Sequence, residues 1–207
     1  MAIAGKLVAV FCVFDPVRSD AAEMITRLRE LGITKVCMMT GDNIKTATAV
    51  AEKLGLDEFY AEVLPEDKAM FIRREHEAGR KVIMVGDGVN DSPALSEADV
   101  GVAISDGAAI AREVADITIA SENLLELVSL VRISKALMGR INSNYRFILT
   151  FNSALIGLGV LGILPPATSA LLHNASTIIT AMKSMTNLIE ENSVQMLEMY
   201  DVENPTA

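Results

Sequence analysis

The chain has 207 residues, 51% of them hydrophobic, and 27 acidic against 18 basic side chains give a net charge of −9. That balance repels phosphate backbones and excludes nucleic acid as a partner, while the length suffices for one buried core with material to spare. Cys12 and Cys37 lie far apart in apolar runs, which reads as two buried thiols in a reducing compartment rather than a disulfide or a metal pair.

The opening MAIAGKL is too short an apolar run for a signal peptide and merges into a strand predicted over 7–14. A helix follows from Ser19 as N-cap to Gly32 as its stop, with apolar positions at 24, 25, 28 and 31. The cycle then repeats: strand 35–39, helix 43–55, a short FYAEVL connector, helix 66–78, strand 82–85, helix 91–97, strand 100–104, helix 107–114 and strand 116–119. Such alternation predicts an α/β fold, a parallel sheet of Rossmann-like order covered by helices on both faces. Ligands bind such sheets at the carboxyl ends of the strands, so Thr40-Gly41-Asp42 and Gly86-Asp87-Gly88 are expected on one rim.

The rim residues suit phosphoryl chemistry. Asp87 and Asp91 offer the hard oxygen ligands that Mg2+ prefers, and the glycines flanking Asp87 let the backbone approach an ion. Thr40, Gly41 and Asp42 precede a helix start at Asn43, where a hydroxyl and backbone N–H groups make an anion site. Lys68, in the first turn of the next helix, and Asn90 complete a set in which electrostatics does most of the work. Each residue alone also has a plain structural role as turn former, cap or solvated side chain.

A predicted helix over 122–144 leads to a different region. From Phe147 to Met182 there is no Asp, Glu, Lys or Arg, and Leu164-Pro165-Pro166 breaks the run. Two transmembrane helices are expected, about 145–164 and 167–189, forming a hairpin; a buried hairpin in a soluble protein is the alternative. Arg132, Lys135, Arg140 and Arg146 precede the first crossing, which predicts a multi-pass protein of the cell membrane with the soluble domain and C-terminus cytoplasmic. An acidic tail, 190–207, is expected to be unstructured towards its end. The predicted organisation is thus 1–121 as the α/β domain, 122–144 as a stalk, 145–189 as the hairpin and 190–207 as the tail.

MTGDN (39–43), LPEDK (64–68) and MVGDGVNDSPAL (84–95), in that order and spacing, resemble P-type ATPases of the haloacid-dehalogenase-like superfamily. FDPVRSDAAEMITRLRELGI resembles the segment where that family's chain re-enters the phosphorylation domain, and the closing hairpin resembles the heavy-metal subgroup. The resemblance covers residues 5–190 and implies part of a phosphorylation domain in an ATP-driven transition-metal transporter.

It also implies a nucleophilic aspartate in a DKTGT motif, which the sequence does not contain. Asp15 is a poor substitute, because Val17 stands where the superfamily pattern wants a second aspartate; a DPxR turn, with Arg18 directed towards nucleotide, suits it better. The ATP-binding domain and the earlier membrane helices are not in the sequence, and no P-loop replaces them. The expectation is the Mg2+ and phosphate half of an aspartyl-phosphate site, inactive alone, whose partner is the missing N-terminal portion or a separately encoded half. A catalytically silent regulatory or complementing subunit is the alternative, and a stand-alone phosphatase using Asp15 ranks last.

In the second membrane helix His173, Thr177, Thr180, Ser184 and Asn187 form one polar stripe, flanked by Asn174, Ser176 and Lys183, with Asn152 on the first helix. HNAST (173–177) resembles an HExxT-like element of heavy-metal pumps, with Asn174 in place of its glutamate. His173, Thr177 and Asn152 are the candidate ligands of a transported divalent transition-metal ion, and hydrogen bonding between helices is the alternative. Lys183 is expected either to reach the cytoplasmic face or to pair with an acid elsewhere.

Overall fold

The computed structural model describes residues 2–3, 6–8, 16–86, 90–104, 113–119 and 123–188. The chain divides into two compact units, Met1–Val128 and Ser129–Ala207.

In the first unit the sequence pattern becomes helix and strand in the expected order. Helix α1 (Ala21–Glu30) buries Ala21, Ile25 and Leu28, which share one face at helical spacing. Its N-cap is Asp20, not Ser19, and Asp20 has helical backbone angles that carry its carboxylate away from the first turn. That carboxylate instead accepts from Leu124 N–H at 2.8 Å and pairs with Arg18 at 3.3 Å.

Strand β3 (Cys37–Met39) runs into helix α2 (Ile44–Leu54), which Asn43 caps by accepting from Lys45 and Thr46 N–H, both at 3.1 Å. A strand, β4 (Glu58–Tyr60), overlaps the start of the predicted FYAEVL connector and runs parallel to β3 with Glu58 opposite Cys37. Asp57 fixes this register by accepting from Val36 N–H at 2.7 Å and from Arg29 at 3.0 Å.

Helix α3 (Pro65–Glu77) starts on a proline, whose missing N–H is no loss there. Strand β5 (Ile83–Gly86), helix α4 (Ser92–Glu97) and strands β6 (Val100–Ile104) and β7 (Ile117–Ile119) follow. Apart from an antiparallel pair at the start of the chain, the described strands form two parallel ladders, β3-β4 and β5-β6-β7. Ile72, Met84, Ala94 and Leu95 make a core between α3, β5 and α4, with Met39, Val82, Ala98 and Val114 against it. Full burial of side chains such as Ile72 and Leu95 contributes roughly 1.5–3 kcal/mol each.

Three expectations meet limits here. The strand predicted over 7–14 is described only at its start, where Lys6–Leu7 (β2) pairs antiparallel with Ala2–Ile3 (β1). Residues 9–15, with Cys12 and Asp15, lie outside the described residues, as does most of the helix predicted over 107–114. The acidic tail lies outside them as well.

Helix α5 (Leu125–Val160) is continuous through 36 residues, so the predicted stalk and first crossing are one element. Its first turn buries Leu125, Leu127 and Val128. In the second unit α5 ends where Gly162 takes a left-handed conformation (φ 71°) and the N–H groups of Ile163 and Leu164 turn back to Leu158 O. Pro165 then precedes helix α6 (Pro166–Ser184), which stops short of the predicted 189.

The transmembrane expectation is not shown at this level: among the described residues, no helix is long and apolar enough by itself to cross a membrane. The uncharged run is divided by the turn, leaving only 147–160 of it in α5 beyond Arg146, and α6 is diluted by His173, Asn174 and its serines and threonines.

Asp99 ties three pieces of the first unit together, accepting from Lys81 at 2.7 Å, from Val82 N–H at 2.9 Å and contacting His76 Nε2 at 2.9 Å. Lys81 first and then the Val82 N–H hold its carboxyl down at about 2, against an ordinary 3.8. Since the folded chain favours the carboxylate, this contribution is complete above the unfolded value and is lost as pH falls from about 4 towards about 2. Urea unfolding in mild detergent should therefore show wild type more stable than Asp99→Asn near neutral pH. The gap should close across that acid window; a gap that did not depend on pH would remove the ionic role.

Candidate functional site

Thr40 follows the last residue of β3, and the backbone beyond it is held by the segment after β4. Thr40 N–H donates to Tyr60 O at 2.9 Å, Val63 N–H to Thr40 O at 3.0 Å, and Glu62 N–H to Asp42 O at 2.9 Å. Glu62 adopts φ 56°, a left-handed conformation that few non-glycine residues take, and so reaches Asp42. Within the loop, Thr40 Oγ1 donates to Asp42 Oδ2 and accepts from Asp42 N–H, both at 3.1 Å. Thr40's hydroxyl proton thus serves Asp42, and an anion bound here would have to redirect it. Gly41 and Asp42 are exposed.

The same segment leads directly into α3. Leu64 N–H donates to Asp67 Oδ2 at 3.4 Å, which closes the first turn and carries Lys68 inward. Lys68 Nζ lies 2.6 Å from Asp91 Oδ1, and the two side chains are only 13% and 12% exposed. Lys68 therefore meets a carboxylate rather than standing free for phosphoryl oxygens. The other oxygen, Asp91 Oδ2, packs against Gly86: a Cβ there would fall 2.5 Å from it. Only glycine leaves that space at the end of β5.

Asn90 is exposed beside this pair, while Asp87, the other expected Mg2+ ligand, lies outside the described residues. Asp91 fits the requirement of a hard cation for a carboxylate oxygen held at a strand end. Among the described residues, no group of three or more His, Cys, Asp or Glu is placed to hold a metal ion.

Away from the rim, the first unit carries a charged cluster of structural character. Lys35 lies 2.8 Å from Glu58 and 3.3 Å from Glu75, and Arg80 also pairs with Glu75. The Arg80 guanidinium, despite burial, holds the Glu75 carboxyl below its ordinary value. Burial pushes the nearby Cys37 thiol up to about 11, assisted by the charge of Glu58.

In the second unit, His173 Nδ1 lies 2.9 Å from Asn152 Oδ1, joining α6 to α5. The two residues line a cleft of about 810 Å³ that runs to Pro165 and Pro166 and includes Ser169 and Asn174. Thr177 donates to His173 O at 3.2 Å, Thr180 to Ser176 O at 2.9 Å and Ser184 to Thr180 O at 2.9 Å, so most of the predicted stripe is satisfied within its own helix. Lys183 finds neither an acid nor open water alone: it donates to Ser143 Oγ at 3.2 Å. Arg140, which the sequence suggested only as an orientation signal, donates to Ser184 O, Thr186 O and Asn187 O at the end of α6.

Parallel ladders joined by helices, with Thr40, Lys68 and Asp91 at successive turns, make an α/β domain, and residues 1–99 match the haloacid dehalogenase-like hydrolase family model. The chain is homologous to the phosphorylation domains of heavy-metal P-type ATPases. It is 46% identical over 171 residues to a copper-transporting ATPase 2 of Rhizobium meliloti (strain 1021), covering 83% of this chain and 20% of that protein. It is 40% identical over 185 residues to a zinc-exporting P-type ATPase of Mycobacterium marinum, covering 89% and 25%. The crystal structure of a zinc-transporting PIB-type ATPase in its E2.Pi state superposes with a TM-score of 0.72 at 34% identity, covering 80% of this chain and 27% of that one. The chain thus spans about a fifth to a quarter of the length of these relatives.

Removing Lys68 strands a nearly buried carboxylate. Lys68→Met should lower the unfolding free energy by on the order of 2 kcal/mol, less than for a fully buried pair. Adding Asp91→Asn should recover part of that loss in a double-mutant cycle read by urea unfolding; strictly additive losses would show that the contact carries no energy.

Proposed function

We propose that this chain contributes the Mg2+-binding and phosphate-binding half of an aspartyl-phosphate site to an ATP-driven transporter of transition-metal cations, together with part of its ion path. The observation that carries the reading is the Lys68–Asp91 contact of 2.6 Å at the end of β5, in a chain homologous to pump phosphorylation domains.

Asp87 and Asp91 would hold Mg2+, which when bound offsets negative charge on phosphoryl oxygens. Lys68 holds the Asp91 carboxylate in place through their 2.6 Å contact and adds positive charge to the same region. Thr40, Gly41 and Asp42 would orient the phosphoryl group through the Thr40 hydroxyl and loop N–H groups, and Asn90 stands exposed at the entrance. The 207 residues contain no DKTGT. The nucleophilic aspartate and the ATP-binding domain are therefore assigned to polypeptide other than these residues, either the rest of one pump or a separately encoded half.

We assign the helical pair to the membrane portion of that pump. Phe147 to Met182 carry no formal charge, and Ile156, Val160, Leu171 and Met182 are each at least 65% exposed. A match covering 80% of the chain is longer than the first unit and so runs into these helices. Helices with polar residues tolerate a bilayer when packed among other helices. The domain boundaries at 121, 144 and 189, and a cytoplasmic soluble domain and C-terminus, belong to the same reading.

In the complete pump Asp87→Asn should abolish Mg2+-dependent phosphoenzyme turnover, and normal phosphoenzyme formation would remove the assignment. The 207-residue chain alone should release no phosphate from ATP; activity restored by a separately produced DKTGT-bearing portion would identify the complementing-subunit alternative. Carbonate-washed membranes should retain the chain, and its release would place α6 outside the bilayer. His173→Ala should change the ion dependence of the pump more than its ATP affinity, whereas an unchanged ion profile would leave His173 structural.

A further inference from the structure

We propose that Asn152 is a positioning residue for His173, fixing the imidazole in the Nδ1–H tautomer so that Nε2 presents its lone pair to a cation in the cleft; this deepens the ion-path reading above and rests on it. Asn152 Oδ1, an acceptor, lies 2.9 Å from His173 Nδ1, so the proton of a neutral ring belongs on Nδ1. Among the described residues Nε2 has no hydrogen-bond partner, and both residues line the same 810 Å³ cleft.

The surroundings hold the ring at its base. Ser176 Oγ donates to His173 O at 2.7 Å and Thr177 Oγ1 to the same oxygen at 3.2 Å, fixing the backbone from which the ring projects. A ring nitrogen whose partner nitrogen donates to a fixed acceptor is oriented and made more basic towards a metal. Asn152 is by this reading not itself a ligand, and its amide oxygen is engaged by the ring. The site so formed offers one imidazole nitrogen, with the hydroxyl of Ser169 and the amide of Asn174 along the same cleft wall, a donor set suited to a borderline divalent ion.

The test uses the full chain in detergent micelles, with 15N-labelled histidine and His76→Gln to remove the signal of the other of its two histidines. Long-range 1H–15N spectra above the imidazole transition should show a pyrrole-like Nδ1 and a pyridine-like Nε2 for His173. Asn152→Leu should shift the ring towards the Nε2–H form and weaken Co2+ binding, followed by its visible absorption, by about 10–100-fold. Asn152→Asp should restore both. An Nε2–H tautomer in the wild type would overturn the inference, because Asn152 would then be donating its amide to Nδ1. So would Co2+ affinity that is lost in His173→Ala but unchanged in Asn152→Leu, which leaves the ion-ligand reading standing. Co2+ affinity unaffected by His173→Ala would overturn both.

Discussion

A carboxylate taken almost out of water governs the first unit. Asp91 stands at the start of α4 with one oxygen on the Lys68 ammonium and the other against Gly86, so helix, preceding strand and lysine must all be in place before the charge is tolerable. Lys68 reaches it because α3 begins on Pro65 and closes its first turn through Asp67. That start is in turn fixed by the backbone bonds joining the Thr40 loop to Tyr60, Glu62 and Val63. The rim is thus one connected object: the segment after β4 joins the Thr40 loop by backbone hydrogen bonds and leads through the start of α3 to the Lys68–Asp91 ion pair.

Much of this was legible in the sequence. Strand 100–104 emerges with the predicted bounds, and 82–85 and 35–39 within two residues, because short apolar runs between charged segments have few other solutions. Strand order also sets Thr40 and Asp91 in the turns that follow β3 and β5. The pairing of Lys68 with Asp91 did not follow: the two are 23 residues apart, and no local pattern specifies which acid a lysine meets. Strand β4 was missed because Glu-Phe-Tyr is too short to alternate visibly, and its register depends on Asp57, a side chain outside the strand. Glu62 gave no signal at all, since a left-handed glutamate looks in sequence like any solvated acid. Asp20 displaced Ser19 because a long-range bond to Leu124 outcompeted a local cap.

In the helical unit, the stalk and the first crossing are divided where charges stop, and α5 runs through both until the turn at Gly162. The stripe on α6 has the three- and four-residue spacing of a ligand set, yet that spacing also lets each hydroxyl reach the carbonyl one turn back. What crosses between α5 and α6 is a smaller set: His173 to Asn152 near the turn, and Lys183, Ser184 and the last carbonyls of α6 to Ser143, Asn144 and Arg140 at the open end. The hairpin is pinned at both ends by polar contacts, with apolar packing such as buried Leu155 between them.

The thiol of Cys37 has a bearing on traffic of soft ions. At an ordinary value of 9.0 about one thiol in a hundred is thiolate at neutral pH, and at about 11 roughly a hundredfold fewer are. Thiolate, not thiol, captures copper or zinc. By sinking this sulfur between β3 and its charged neighbours, the domain keeps a potential chelator silent. A thiol so held is a poor ligand for the soft ions that the chain's relatives are named for, copper and zinc.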